Sequence, residues 1–297
     1  MITPLRLATL LVLLTAAWLG IFRSYIFPEL ADLVQETTCG APGQACPLMD
    51  RNYNALIPTG DGPFPVVVFF HGSALTGKDI ITREHLVRPF IERGYAFVAP
   101  TAGLVRYGDG GMRTGWRHDG TNGNNNDYAF IQALLNDVTD RFPLDDARIL
   151  IAGHSNGGIF SWYLACADID PRLTAFAPAS GTPIVRYPGN CQTDVPDYHL
   201  MHTHGLSDPV VPFEGLPRQN GYQGFVSTEE ATSTLAQRAG CVGAIKTSAG
   251  SFQATNWQSC REGLYIGFAT YDGGHSITRA WPDYILDWYE ALPAGNF

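Results

Sequence analysis

Ser155 lies in Gly153-His154-Ser155-Asn156-Gly157, a G-x-S-x-G pentapeptide. A serine hydroxyl is a weak nucleophile at neutral pH. It needs a base, and the base needs an acid that fixes its tautomer. Two later segments offer these groups in the order Ser, Asp, His. His204-Gly205-Leu206-Ser207-Asp208-Pro209 puts Asp208 on a loop, and Tyr271-Asp272-Gly273-Gly274-His275 puts His275 on another. No histidine other than His275 follows His204, so the base has no rival there. Asp208 has rivals in Asp194, Asp197 and Asp272. The first two precede their strand, and Asp272 is near enough to His275 to shape its loop instead. An oxyanion needs two backbone N–H donors. Asn156, next to the serine, offers one, and Ser73 in Phe70-His71-Gly72-Ser73 offers the other. His71 reads as a brace for that loop, and His154 as a candidate substrate contact. Together these residues suit acyl transfer through a covalent serine intermediate. Taken singly they have plainer readings: a helix N-cap, a turn aspartate and a surface imidazole.

Such groups must be delivered by elements that end in the right place. Residues 148–152 read as a strand entering the pentapeptide, and residues 155–165 as a helix leaving it, the context the motif requires. Runs at 65–70, 95–100, 173–177, 199–203 and 264–268 are continuously apolar, as in strands of a parallel sheet covered on both sides. Helical patterns alternate with them. Residues 127–141 place Phe130, Leu134, Leu135 and Val138 on one face, with Asn126 or Asp127 as N-cap. Residues 227–238 and 282–291 supply two more. The alternation predicts an α/β fold, with a mostly parallel central sheet flanked by helices. The catalytic domain is expected over 50–297, after a lead-in at 28–49. The chain between Cys166 and His199 already holds a strand, which leaves no room for a large lid domain.

The chain has 297 residues and a net charge of −9, which argues against nucleic-acid binding. With 45% hydrophobic and 16% charged residues it can bury a core, so it is not expected to be disordered. Residues 1–27 carry Arg6 and an apolar run from Leu7 to Phe22, the layout of a signal peptide. The alternative is an uncleaved anchor, a membrane tether through residues 5–22, although the run falls short of the roughly 17–25 residues that span a bilayer. Either way the protein is expected outside the cytoplasm: secreted, periplasmic or anchored. The six cysteines fit an oxidising compartment. They allow 15 full pairings. Proximity suggests Cys39–Cys46, Cys166–Cys191 and Cys241–Cys260, against the plainer reading of buried thiols. No metal is expected: there is no CxxC, and the run around Asp119 lacks EF-hand spacing. No cofactor is needed.

Taken together, VVVFFHGS, RGYAFVAP, DYAFIQALLNDV, ILIAGHSNGGIFSWYLAC, HTHGLSDPVVPFEG and YDGGHS, spread over about residues 50–290, resemble the α/β-hydrolase esterases. The likeness is to the group of feruloyl and acetyl-xylan esterases and polyhydroxybutyrate depolymerase-like proteins. It implies the α/β-hydrolase fold, triad roles for Ser155, Asp208 and His275, and a Cys241–Cys260 disulfide. It implies as substrates feruloyl or acetyl esters of polysaccharide, or short hydroxyalkanoate polyesters. Trp116 matches a tryptophan that relatives place near the cleft, where it would stack on substrate; a packing role is the other reading. The usual His-x-Trp-Pro is replaced by His275-Ser276-Ile277-Thr278, with Trp281-Pro282 later. A peptidase on the same fold, or a non-enzymatic envelope binding protein, are the competing functions.

Overall fold

A computed structural model describes residues 29–108, 110–117, 127–184, 186–189, 191, 195–219 and 224–293. The N-terminal segment 1–27, Asp119 with its Asn-rich run, the cap candidate Asn126 and the rival Asp194 lie outside the described residues.

The continuously apolar runs form the middle of a ten-stranded sheet. Its strands are β1 (Cys46–Leu48), β2 (Arg51–Leu56), β3 (Phe64–Phe70), β4 (Ala96–Pro100), β7 (Leu144–His154), β8 (Ala175–Ala179), β9 (His199–Gly205), β10 (Ala244–Ala249), β11 (Phe252–Trp257) and β12 (Ile266–Tyr271). Their spatial order is β1-β2-β4-β3-β7-β8-β9-β12-β11-β10. From β4 to β12 neighbouring strands are parallel. The margins are antiparallel: β1 and β2 on one side, β11 and β10 on the other. β5 (Leu104–Arg106) and β6 (Met112–Thr114) make a separate hairpin. β1 grows out of the segment read as a lead-in.

Burial on both faces explains why the central strands lack an apolar–polar alternation. Val66, Val68 and Phe70 of β3 enter one core, and Val67 and Phe69 enter the other, as the two-residue pleat requires. On the first face lie α3 (Asp127–Arg141), α4 (Asn156–Ala165) and α5 (Thr228–Arg238), burying Phe130, Leu134, Phe160 and Leu235. On the second lie α1 (Gly77–Ile81), α2 (Glu84–Glu92) and α6 (Trp281–Glu290), burying Ile81, Phe90, Ile285 and Leu286. α3 has the predicted bounds and buries the predicted face. α5 begins at Ser227, whose hydroxyl accepts from the Glu230 N–H and so satisfies one free donor of the first turn. Between Cys166 and His199 the described residues hold β8 and a turn, with no inserted helical layer.

Three disulfides join Cys39–Cys46, Cys166–Cys191 and Cys241–Cys260, leaving no free cysteine. The first clips the early chain to the edge strand β1. The second ties the end of α4 to the loop before β9, and the third joins the end of α5 to the approach to β12. Among the described residues no helix is long and apolar enough to cross a membrane.

The parallel strands all run the same way, so their C-terminal ends share one sheet edge. Phe70 of β3 pairs with Gly153 of β7, and Gly205 of β9 pairs with Tyr271 of β12. Only β8 separates the two pairs. Ser155, Asp208, His275 and the loop after β3 therefore leave the sheet side by side.

Candidate active site

Ser155 is the single residue between β7 and α4, with φ 59° and ψ −122°. That left-handed backbone lifts the hydroxyl off the sheet edge, and tight packing beneath it dictates glycine nearby. A Cβ on Gly157 would lie 2.1 Å from the Phe70 carbonyl oxygen, and one on Gly153 would lie 2.4 Å from that of Gly157. The chain reaches this turn through Gly153 and leaves it through Gly157 because no side chain fits.

The structure brings together the three residues that the spacing singled out. His275 Nε2 is 2.8 Å from Ser155 Oγ, and His275 Nδ1 is 2.7 Å from Asp208 Oδ2. Asp208 is 5% exposed. Its other oxygen, Oδ1, accepts from the N–H groups of Val210 and Val211 at 2.8 and 2.9 Å. Burial alone would raise its pKa. Hydrogen bonds from His204, His275, Val211 and Val210 outweigh that and hold the carboxyl well below its ordinary 3.8.

Behind Asp208 runs a buried chain that the sequence reading did not reach. The Trp162 indole N–H donates to His202 Nδ1 at 3.2 Å. His202 Nε2 lies 2.9 Å from His204 Nδ1. His204 Nε2 lies 2.8 Å from the Val211 carbonyl oxygen and 3.4 Å from Asp208 Oδ2. An indole can only donate. His202 therefore carries its proton on Nε2 and gives it to His204 Nδ1, so His204 carries its own on Nε2, facing Asp208 and Val211. Both imidazoles are fully buried. A signal was present in the sequence. His202 and His204 are two residues apart on an apolar strand, hence on one face, just ahead of Asp208.

The loop after β3 comes close to the nucleophile: a Cβ on Gly72 would sit 3.3 Å from Ser155 Cβ. His71 is fully buried, and burial pulls its pKa down to about 4. Its Nε2 accepts from the Ala102 N–H at 3.0 Å, so Nδ1 carries the proton and donates to the Gly72 carbonyl at 2.7 Å. It is a brace, as its position suggested. The Ser73 N–H enters no hydrogen bond among the described residues. Asn156 opens α4, where backbone N–H groups have no intrahelical partner. Asn156 adjoins the serine, Ser73 follows the Gly72 that approaches it, and both backbone N–H groups are free among the described residues.

Trp116 requires a correction. It is 2% exposed, and its ring stacks on Phe160 and packs against Phe70. Its indole N–H donates to the His71 carbonyl oxygen at 3.1 Å. Its backbone N–H donates to Asn156 Oδ1 at 2.6 Å, and Asn156 Nδ2 returns a bond to its carbonyl at 3.1 Å. No face is open for a substrate to stack on. Trp116 fastens the loop after β3 to the start of α4. Trp116→Ala is expected to cost about 3–5 kcal/mol of folding stability, as for other large aromatics removed from cores. Urea unfolding checks this; an unchanged midpoint with a raised KM would restore the substrate-stacking role. Trp281, the other tryptophan near the His275 loop in sequence, is also a core residue and donates to Thr203 Oγ1 at 2.8 Å.

His154 borders the site. Its ring lies 4.9 Å, centroid to centroid, from that of His275. Burial, reinforced by the neighbouring His275, lowers its pKa to about 3. Its Nε2 is buried without a hydrogen-bond partner.

This chain has the α/β-hydrolase fold, with a serine turn between a strand and a helix and an Asp and a His on neighbouring strand ends. It is similar to feruloyl esterase C of Emericella nidulans, with 28% identity over 183 residues, covering 60% of this chain and 56% of that protein. The matched part is thus little more than half of that relative. A probable feruloyl esterase C of Aspergillus flavus is 28% identical over 230 residues, covering 76% of each chain. Among solved structures, acetyl xylan esterase from Aspergillus awamori aligns with a TM-score of 0.59 at 14% identity, over 81% of this chain and 94% of that one. No family model matches the chain.

Proposed function

We propose that the chain is a serine carboxylesterase that works outside the reducing cytoplasm on feruloyl or acetyl esters borne by polysaccharide. The observation that carries this reading is the unbroken line Asp208 Oδ2–His275–Ser155 Oγ, with hydrogen bonds of 2.7 and 2.8 Å, beside two free backbone N–H groups. Ser155 Oγ attacks the ester carbonyl carbon while its proton passes to His275 Nε2. Asp208 holds the Nδ1 proton and stabilises the imidazolium. The Ser73 and Asn156 N–H groups receive the negative oxygen of the tetrahedral intermediate. The intermediate collapses, the C–O bond to the alcohol breaks, and His275 returns the proton to the departing oxygen. Water then attacks the acyl-serine by the same route, releasing the acid and restoring the serine. The names of the relatives support feruloyl and acetyl groups as the acyl part. The three disulfides support an oxidising compartment.

The test is initial rates on an aryl acetate, methyl ferulate, acetylated xylan and a hydroxybutyrate oligomer. Hydrolysis of the first three is expected. If the folded, disulfide-bonded protein cleaves none of the four, the proposal fails.

A further inference from the structure

Arg83, between α1 and α2, lines a cavity of about 180 Å³ that His275 lines as well. Gly72, Leu75, His154 and Ile277 also line it. The Gly72 wall is in contact range of the nucleophile, so any group attached to an ester held at Ser155 has a short path into the cavity.

The charges there run against the character of the whole chain. Its net charge is −9, yet among the described residues no carboxylate lines this cavity. Outside it, a shelf shares Arg83 and His85 with the cavity and adds Arg88, Arg279 and Glu84. Glu84 is engaged by Arg88, which also pairs with Glu92. No ion pair or hydrogen bond engages the guanidinium of Arg83 or of Arg279 among the described residues. Arg83 is partly buried, and an unpaired guanidinium losing water on one side favours an anion in its place. His154 lines the same cavity, and its ring carries a buried Nε2 with no hydrogen-bond partner among the described residues. Buried ring nitrogens are ordinarily hydrogen-bonded.

A purely apolar acyl group would cover Leu75 and Ile277 and leave the Arg83 guanidinium unmet. A carboxylate meets it: a guanidinium fork matches its two oxygens, and one unpaired cation in the inner cavity matches one negative charge. We propose that this cavity is a carboxylate subsite, in which Arg83, with His154 in the same lining, selects esters that carry a carboxylate a few atoms from the scissile bond. This rests on the carboxylesterase reading and narrows its substrates to acidic esters. The carboxylate belongs either to the acyl half, as in a dicarboxylic half-ester, or to the alcohol half, as in an acetylated uronic acid.

Two matched pairs distinguish these sources. Methyl butyrate against monomethyl succinate probes the acyl half. O-acetylated methyl xyloside against O-acetylated methyl glucuronoside probes the alcohol half. In one pair, Arg83→Gln is expected to lower kcat/KM for the charged member at least tenfold and to change the neutral member less than twofold. Arg83→Lys should recover part of the loss. A charged-to-neutral ratio that is the same in wild type and Arg83→Gln for both pairs overturns the subsite while leaving the esterase intact. Binding is also measured without turnover, by calorimetry of glutarate and of glucuronate with Ser155→Ala. One of the two should bind, and adding Arg83→Gln should weaken it about tenfold. Absence of binding by both overturns the subsite even if no ester is cleaved. Binding without cleavage of any ester overturns the catalytic reading alone.

Discussion

Ser155→Ala is expected to lower kcat/KM on every ester the protein cleaves by about 10⁴–10⁶-fold, leaving the residual assistance of binding and the oxyanion donors. One oxygen atom carries this effect. Without Oγ no acyl-enzyme forms, and His275 Nε2 has only water to activate. The fold should not register the change. The Oγ contact with His275 is the hydrogen bond that hydroxyl makes among the described residues, while the Ser155 backbone bonds to Ala179 and Ile159 remain. Alanine enters the same left-handed turn as serine, with the same Cβ. Steady-state rates and a thermal midpoint, measured on both proteins, check the two halves of the expectation. Residual activity within tenfold of wild type would remove Ser155 from the chemistry.

Asp208→Asn is expected to lower kcat by about 10⁴-fold for a different reason. The side-chain oxygen of asparagine can still accept from Val210 and Val211, so the loop keeps its shape. The amide nitrogen then occupies the place of Oδ2. There it confronts His204 Nε2–H and His275 Nδ1–H, and a donor cannot bond to a donor. His204 is held by the chain from Trp162, so His275 is the ring that yields. It moves its proton to Nε2, and the nitrogen that should accept from Ser155 no longer can. A pH profile separates this from unfolding, because activity should recover only where hydroxide takes over the role of the base. The same carboxylate ties stability to acid. Its pKa is depressed in the folded protein, so its contribution is present above the ordinary 3.8 and is lost as pH falls toward the lower folded value. Asp208→Asn should remove this part of the acid sensitivity, so the stabilities of mutant and wild type should converge below about pH 4. A gap that stays constant from pH 7 to pH 3 would contradict it.

The centre of the fold was legible because burial on both faces leaves uninterrupted apolar runs, and β3, β4, β7, β8, β9 and β12 were all read within a few residues. The margins were not. β10 is exposed along its whole length and reads Ala-Ile-Lys-Thr-Ser-Ala, with no apolar face to mark it. β11 alternates, but its inward positions are Phe252, Ala254 and Asn256, too mixed to stand out. The residues at the strand ends were legible because a nucleophile, a base and an acid announce themselves by type and order. Trp116 was misplaced for the opposite reason. An aromatic residue in a glycine-rich loop looks the same in sequence whether the loop folds its ring outward or inward. Only the pairing with Asn156 and the stack on Phe160 decide it. Arg83 gave no signal either, since what distinguishes it is the lack of a partner, which only packing reveals.

Two imidazoles in series, left to themselves, admit two proton orders of opposite sense, as a file of water molecules does. The indole of Trp162 at one end can only give, and that abolishes one order. His202 and His204 form a polarised string, and every hydrogen along it points toward the Val211 carbonyl and the carboxylate of Asp208. The order is thus fixed from both ends, by an indole that can only give and by a carbonyl and a carboxylate that can only accept. Trp162→Phe would leave His202 Nδ1 buried without its donor while the Val211 carbonyl and Asp208 carboxylate still hold the hydrogen of His204 on Nε2, so nitrogen-15 chemical shifts should show the order kept and His202 Nδ1 changed.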